Sequence, residues 1–157
     1  MFREMRRKKQ QLSDEECAFI LTNEKRAVMS CIGDDGYPYG VPIDFYYDEA
    51  ERIIYFHGAK SGHKLESIQK DPKVCFTVYD QGEKSEDWSY FVKSVIAFGK
   101  CEIVNDENRR LEKSKLLGLK YYPDEASVDH EIEIDLGRMT LFAIHIEHMT
   151  GKRVHEK

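Results

Sequence analysis

Apolar and polar residues alternate in a long, regular pattern along residues 88–104. Val95, Ala97 and Cys101 fall on one side of the alternation, while Ser94 and Lys100 fall on the other. A period of two residues places successive side chains on opposite faces of a β-strand. The pattern therefore predicts one long strand with two different faces.

Five shorter segments are rich in β-branched and aromatic residues and are bounded by turn residues. They are residues 26–32, 41–47, 53–57, 74–79 and 140–149. Gly33 and Gly36 enclose two aspartates between the first two segments, which is typical of a hairpin turn because glycine accepts positive φ angles. Pro42 lacks an N–H donor and indicates an edge strand or a bulge.

Helical signals occur between the strands. Ser13 and Glu16 have the spacing of a capping box, in which each side chain binds the other residue's free N–H group. The helices predicted from such signals cover residues 13–23, a short segment opened by residues 61–64 and ended at 71–72, and residues 106–121. The acidic segment 123–137 shows no clear period and is predicted to be an irregular loop.

Six strands joined mainly by hairpins, with helices inserted between some of them, predict a mainly β fold, an antiparallel barrel that is closed or half-closed. The alternating βαβ units of a doubly wound parallel sheet are absent from the pattern. No linker or repeat divides the chain, so residues 1–157 are interpreted as a single domain.

Composition and charge narrow the classes of function. The net charge of −5 argues against general nucleic-acid binding, and the basic cluster at residues 6–9 is interpreted as part of a solvated arm over residues 1–12. No apolar run approaches the roughly 20 residues that cross a bilayer, and no apolar stretch follows the charged start as in a secretory signal. The 4 cysteines include no CxxC pair, so we expect a protein of the reducing cytoplasm.

The segment 53–78 carries the clearest candidate chemistry. It reads as a strand ending at His57, a turn at Gly58, a helix start that contains Ser61, His63 and Lys64, and a second strand. Free N–H groups at a helix N-terminus, together with a hydroxyl and an ammonium group, favour an anion such as a phosphate. The alternatives are an ordinary surface cap for the lysine and a hydrogen-bonded strand end for His57.

Other chemistries find less support. His57 and His63 lack a third metal ligand at a recognisable spacing, so no metal site is expected. No GxSxG elbow is present, and no cysteine lies clearly at a helix N-terminus, which argues against a nucleophilic hydrolase. No GxGxxG follows a strand, so a dedicated nicotinamide-binding domain is absent.

Five motifs occur in a recognisable order along the chain. They are GYPYGVP at 36–42, YFHGAKSGHK at 55–64, DPKV at 71–74, SVIAFG at 94–99 and TGK at 150–152, preceded by MRRKKQ at 5–10. This series resembles the FMN-binding split-barrel proteins related to pyridoxamine 5′-phosphate oxidase. Within them it is most similar to the nitroimidazole-resistance branch, and the resemblance covers residues 5–152.

The resemblance implies a six-stranded split barrel that forms a homodimer, with FMN in clefts between the subunits. By motif, Lys64, Ser61 and His63 match positions near the FMN phosphate. The remaining cofactor positions that it implies are Pro42, Ile43, Asp44 and Phe45 along the ring edge, His57, Gly58 and Ala59 beside the flavin, and Ser94 and Trp88 reaching it from the partner subunit. Thr150 and Lys152 belong to the ending motif, without an assigned role. Core packing is the alternative for Phe45, and loop anchoring is the alternative for Trp88.

The implied function is an FMN-dependent oxidoreductase that reduces a small aromatic acceptor, such as a 5-nitroimidazole. A reduced pyridine nucleotide would bind transiently as the electron donor, and His57 would hydrogen-bond the acceptor or supply a proton. The extra basic residues of true pyridoxamine phosphate oxidases cannot be placed, which disfavours a vitamin B6 oxidase. The alternatives are a non-catalytic flavin- or haem-binding module and a dimeric interaction domain without a ligand.

Overall fold

The computed structural model describes residues 1–157 and contains one antiparallel sheet of eight strands. The strands are β1 (Ala27–Ile32), β2 (Pro38–Ile43), β3 (Tyr46–Asp48), β4 (Ile53–Ala59), β5 (Lys73–Tyr79), β6 (Glu83–Lys84), β7 (Tyr90–Ile103) and β8 (Met139–His155). The helices are α1 (Asp14–Asn23), α2 (His63–Lys70), α3 (Glu107–Leu119) and α4 (Glu125–Asp135). Short 3-10 turns occupy Lys8–Gln10 and Asp34–Gly36.

The order of the strands shows that the sheet curls on itself. Hydrogen-bonded neighbours follow the order β2-β1-β5-β7-β8-β4-β3, with β6 paired to β7. β2 and β3 stand at opposite ends of this order, yet only Asp44 and Phe45 separate them along the chain. Three extended steps from Ile43 to Tyr46 span about 10 Å, so the two edges of the sheet must approach each other. The predicted class, a mainly β antiparallel barrel with added helices, is confirmed.

The strand count differs from the six predicted, because the segment 41–47 divides and β6 is added. Ile43 is the last residue of β2 to pair with β1, and Tyr46 is the first of β3 to pair with β4. Between them the Phe45 N–H group donates to the hydroxyl of Tyr121 at 2.7 Å instead of to a strand. This contact with a residue 76 positions away breaks the strand, and the local pattern of residues 41–47 cannot predict such a distant contact.

The long alternating strand has the two different faces that its pattern predicted, and one of them faces the core. Val95 and Ala97 on β7 have no exposed surface, and Cys101 is 5% exposed. The register of β7 against β8 shifts between Phe98 and Gly99. A side chain at Gly99 would collide with the backbone carbonyl of His145, so the bulge requires glycine there.

The capping box predicted at the start of α1 is present. The Ser13 hydroxyl accepts from the Glu16 N–H at 3.2 Å, and the Glu16 carboxylate accepts from the Ser13 N–H at 2.9 Å. Cys17, Ile20 and Leu21, which share one face of this helix, are buried in the main core. Local sequence therefore determines both the start and the packed face of this helix.

The prediction of an irregular loop over 123–137 is wrong, because α4 occupies Glu125–Asp135. The Asp124 side chain caps this helix by accepting from the Ser127 N–H at 2.8 Å. Val128, which is 2% exposed, packs against Gly118 of α3. One buried residue in an acidic stretch leaves too weak a periodic signal to reveal the helix, whose stability comes from contact with α3.

The N-terminal arm, residues 1–12, has exposed basic side chains at 6–9. Contacts before and after these residues nevertheless hold the arm against β8. The Phe2 ring stacks on His148 at 4.8 Å, and the Leu12 N–H donates to the Gly151 carbonyl at 3.0 Å. None of the helices combines the length and the apolar character needed to cross a membrane.

Candidate functional site

Lys64 at the start of α2 folds back over the end of β4. Its ammonium group donates to the carbonyl oxygen of His57 at 3.5 Å, and Nζ lies 5.4 Å and 5.6 Å from the ring centroids of Phe56 and Phe142. Gly58 provides the space for this arrangement, since a Cβ atom there would lie 2.8 Å from Nζ. The strand end, the glycine and the helix start thus form a cradle for one cation.

The Lys64 cation lacks a matching anion in the chain. It is partly buried, and loss of hydration lowers its pKa, with no carboxylate among the charges that act on it. A partly desolvated ammonium group held only by a carbonyl and two aromatic faces is a receptor for a negative charge. This geometry supports the anion site that the sequence predicted.

The start of α2 adds further donors beside the cation. Gly62 precedes the helix with φ of 119°, a conformation that favours glycine, and no side chain caps the helix. The first N–H groups of a helix have no partner within it, and the helix dipole makes this end positive. Ser61, one residue before Gly62, is exposed, so its hydroxyl is accessible.

His63 lies on a different side of the turn from the Lys64 ammonium. Its ring stacks on Tyr39 with centroids 4.0 Å apart, and its Nε2 lies 3.7 Å from the Asp34 carboxylate. These contacts connect α2 to the hairpin that joins β1 and β2. His63 therefore has a structural role in positioning the start of the helix.

The predicted cofactor residues at the connection between β2 and β3 are of two kinds, with exposed and with buried side chains. Pro42 and Asp44 are exposed, and the Asp44 carboxylate pairs with Arg26 at 3.1 Å. Ile43 is 5% exposed and Phe45 is fully buried, so only their backbones can approach a ligand. For the Phe45 side chain, the core-packing alternative is the one observed.

Tyr121 and Lys120 hold this connection in place, and the sequence did not single them out. The Tyr121 hydroxyl accepts from the Phe45 N–H and lies 2.9 Å from the Phe45 carbonyl oxygen. The Lys120 ammonium lies 3.9 Å from the centre of the Phe45 ring, and burial lowers its pKa to about 8. The sequence predicted a helix over 106–121, but nothing in that pattern indicates the contact of Tyr121 with Phe45.

His57 lines a surface cavity with a volume of about 420 Å³. Ala59 ends the same strand and is exposed. Partial loss of hydration, together with the nearby charge of Lys64, lowers the pKa of His57. The imidazole is therefore neutral at pH 7 and can donate from one nitrogen and accept at the other.

The polar groups of the cavity wall, besides His57, come from the β2–β3 connection, from α3 and the turn that follows it, and from α4. They are Asp44, Ser114, Tyr121, Tyr122, Glu131 and Asp135. The sequence did not indicate Glu131 and Asp135, because the segment 123–137 was predicted to be a loop and their common helix face was not recognised. No three His, Cys, Asp or Glu side chains converge as metal ligands.

Ser94 lies far along β7 from the part of the strand that is near the Lys64 cradle. Ser94 pairs with Tyr79 and Lys152, whereas Cys101, whose thiol is within electrostatic reach of Lys64, is seven residues further along the same strand. At about 3.3 Å per residue this separation is about 23 Å. Trp88 is 71% exposed in the loop before β7.

The outward face of the sheet carries an uncharged surface. Two rows of paired residues cross β2, β1, β5, β7 and β8 on this face: Gly40, Ser30, Cys75, Phe98 and His148, and then Pro42, Val28, Thr77, Ile96 and Thr150. Neither row contains Asp, Glu, Lys or Arg, although such residues make up 34% of the chain. We call these ten residues the uncharged face. Lys152 lies beside it, opposite Ser94.

A family comparison matches residues 13–153 to a family described as pyridoxamine 5′-phosphate oxidase. The match covers nearly the whole chain, as the resemblance of the five motifs predicted. No curated protein sequence matches significantly.

Solved structures share the fold. A candidate 5-nitroimidazole antibiotic resistance protein from Bacteroides thetaiotaomicron is 19% identical, with a TM-score of 0.77 over 92% of this chain and 87% of its own. A FAD-binding protein from Mesorhizobium loti is 23% identical, with a TM-score of 0.67 over 92% and 97%. A FAD- and haem-binding protein from Mycobacterium smegmatis is 19% identical, with a TM-score of 0.69 over 94% and 74%. At these identities the likeness establishes the fold alone.

Proposed function

This chain belongs to the pyridoxamine 5′-phosphate oxidase family, and we propose that it is an FMN-dependent oxidoreductase with the FMN phosphate at Lys64. The observation that carries the proposal is the partly buried ammonium group that has no carboxylate partner. A phosphate would provide that partner. Flavin binding by related folds from Mesorhizobium loti and Mycobacterium smegmatis supports the cofactor class.

The residues present fit a phosphate-bearing cofactor. Lys64 supplies the counter-charge, Ser61 supplies a hydroxyl, and the first turn of α2 supplies N–H donors. Gly58 leaves room for the ammonium, and the exposed backbone from Pro42 to Asp44 offers an edge for a planar ring. When bound, the flavin would supply hydride and electron transfer, while the protein contributes position and electrostatics.

His57 is the proposed catalytic residue. It is exposed at the end of β4, lines the cavity, and is neutral at pH 7 because its pKa is lowered. A neutral imidazole can hydrogen-bond a small aromatic acceptor or exchange a proton with it. A 5-nitroimidazole is our candidate acceptor, supported by the resistance protein of the same fold, and a reduced pyridine nucleotide is our candidate donor.

We also propose a homodimer, formed through the uncharged face. An exposed sheet surface without charges is typical of an interface, where charged residues are depleted. In such a dimer Ser94 and Trp88 of the partner subunit could approach the cofactor. The four cysteines are all free, which suits our proposed location in the reducing cytoplasm.

A test of the cofactor assignment compares two lysines of the same turn. Lys64→Met keeps the apolar stem but removes the charge, and Lys60→Met removes an equal charge from an exposed position. A charge-assisted hydrogen bond contributes about 1.5–3 kcal/mol, so Lys64→Met should weaken FMN binding by about 10- to 150-fold. Fluorescence titration of the full chain measures this loss. Equal affinities for the two variants would refute the phosphate assignment.

The alternative function is a non-catalytic cofactor store, which the FAD- and haem-binding protein from Mycobacterium smegmatis supports. A second experiment distinguishes an enzyme from such a store. The FMN-loaded protein is reduced without oxygen, and a 5-nitroimidazole is then added. Reoxidation of the flavin together with loss of the nitro absorbance supports the reductase. Flavin that stays reduced with every nitro-aromatic compound contradicts it and leaves the storage function.

A further inference from the structure

The connection between β2 and β3 lies outside the hydrogen-bond ladders of the sheet. Ile43 is the last residue of β2 to pair with β1, and Tyr46 is the first residue of β3 to pair with β4. The peptide groups of Asp44 and Phe45 therefore have no strand to bind them. Phe45 is fully buried, and buried backbone groups need hydrogen-bond partners. Something other than the sheet must hold this part of the chain.

The hydroxyl group of Tyr121 provides that partner. It accepts from the Phe45 N–H group at 2.7 Å, and two carbonyl oxygens are within reach of its own proton, that of Phe45 at 2.9 Å and that of Lys25 at 2.8 Å. Burial raises the pKa of Tyr121 to about 12, so the hydroxyl keeps its proton and can donate it to one of them. Since Lys25 lies between α1 and β1, one hydroxyl fastens the β2–β3 connection to two other parts of the fold.

The side chains of the connection are held as well. The Phe45 ring packs edge-on against Phe76 with centroids 5.0 Å apart, and the Lys120 ammonium lies 3.9 Å from its centre. The Asp44 carboxylate pairs with Arg26 at 3.1 Å. These contacts fix where the two side chains lie, whereas the Tyr121 hydroxyl fixes the backbone between them.

The same tyrosine lies at the candidate site. Tyr121, Asp44 and His57 all line the cavity of about 420 Å³. The exposed backbone from Pro42 to Asp44 is the edge that we assign to the flavin ring, and His57 is the proposed catalytic residue. A shift of the connection would therefore change the wall of the cavity and the position of the backbone groups offered to the ring.

We propose that Tyr121 is a positioning residue for the flavin: its hydroxyl holds the backbone of Asp44 and Phe45 where the connection can bind the ring edge. This role rests on the function proposed above. Loss of the hydroxyl leaves the Phe45 N–H without its acceptor, so the connection shifts and the ring edge loses a well-placed partner. The phosphate position at Lys64 belongs to a different turn and stays as it is. Tyr121 thus affects binding of the ring, and Lys64 affects binding of the phosphate.

Two flavins separate these effects, because riboflavin has the ring of FMN but no phosphate. Tyr121→Phe keeps the aromatic side chain and removes only the hydroxyl. One misplaced neutral hydrogen bond corresponds to about three- to tenfold in affinity, so both flavins should bind more weakly by about that factor. Lys64→Met should weaken FMN and leave riboflavin unchanged. Fluorescence titration of the full chain measures the dissociation constants.

The visible circular dichroism of bound FMN reports the surroundings of the ring. At saturating FMN it should change in Tyr121→Phe and stay unchanged in Lys64→Met, and this comparison decides if riboflavin binds too weakly to titrate. Ser13→Ala is the control for a general loss of stability, since it also removes a hydroxyl that accepts from a backbone N–H group, at the start of α1. The control should alter neither the affinities nor the dichroism.

Hydrogen exchange on the unaltered protein decides if Tyr121→Phe does not fold. FMN should slow exchange of the Asp44 and Phe45 amides, and unchanged exchange would overturn the role of Tyr121. Tight FMN binding by Tyr121→Phe with unaltered affinity and dichroism would also overturn it and leave the cofactor proposal intact, as would the same changes in Ser13→Ala. An unaltered protein that binds neither flavin would overturn both proposals.

Discussion

Substitution of Gly58 by alanine should weaken flavin binding while leaving the fold intact. Gly58 has no left-handed φ angle, so its backbone accepts alanine without strain. The added Cβ would lie 2.8 Å from Nζ and 2.9 Å from Cε of Lys64, and 3.2 Å from Cε2 of Phe142. The flexible lysine head can move away, whereas the fully buried Phe142 ring can yield by only a few tenths of an ångström.

The two consequences differ in size. Alanine for glycine at a compatible backbone position stabilises a protein by about 0.4–1 kcal/mol, and this gain offsets mild crowding against Phe142, so the free energy of unfolding should change by less than about 1 kcal/mol. Displacement of the ammonium removes a charge-assisted contact to the phosphate, which contributes about 1.5–3 kcal/mol. The dissociation constant for FMN should therefore rise by about tenfold or more.

Urea denaturation measures the stability, and quenching of flavin fluorescence measures the affinity. Gly137→Ala is the matched control, because a Cβ there meets nothing within 4 Å and the φ angle of Gly137 is also not left-handed. The control should retain its affinity for FMN. If Gly58→Ala binds FMN as tightly as the unaltered protein, the reasoning about the cradle is refuted. A double variant, Gly58→Ala with Lys64→Met, should bind no more weakly than Lys64→Met alone, since both changes remove the same contact.

Three further predictions concern stability. Lys113→Met removes the cation that pairs with the largely buried carboxylate of Asp48 and the exposed carboxylate of Glu51, and it should lower the free energy of unfolding by about 3 kcal/mol. Lys115→Met, at a surface pair with Asp129, should lower it by less than about 1 kcal/mol, and equal effects in urea denaturation would contradict this difference. Tyr121→Phe leaves the Phe45 N–H without its acceptor and should lower the free energy of unfolding by about 1–3 kcal/mol. An unchanged urea midpoint would show that another acceptor replaces the hydroxyl. The pKa of His57 is lowered on folding, so the unfolded state binds more protons than the folded state as the pH falls below about 6.5, and the folded protein loses stability. The variant His57→Gln should therefore lose less stability than the unaltered protein between pH 7.5 and 5.5. Parallel losses in the two proteins would refute the pKa shift.

The elements that the sequence predicted correctly are those with a local cause. The alternation along β7 reflects which side of one strand faces the core, and the capping box of α1 joins residues three positions apart. The predicted anion site also depends on local spacing, because His57, Gly58 and Lys64 lie within eight consecutive residues, and it stays a prediction. The family resemblance depended on such short motifs, and the match over residues 13–153 confirmed it.

The features that were missed depend on contacts between distant parts of the chain. The division of 41–47 into β2 and β3 follows from the hydroxyl of Tyr121, and α4 is stabilised by the packing of Val128 on Gly118. Neither contact leaves a periodic pattern in the segment that it shapes. The cofactor roles proposed for Ser94 and Trp88 depend on a second subunit and stay predictions.

By itself, the sequence determined the antiparallel β class and the start of α1, and it carried the prediction of an anion site at Lys64. Each of these follows from side-chain spacing or backbone chemistry within a few residues. Only the tertiary structure decided where Phe45 points, that 125–135 is helical, and that Ser114, Glu131 and Asp135 share a cavity with His57. Such features depend on the free energy of packing elements that are far apart in sequence, and local patterns carry little information about which distant residues will meet.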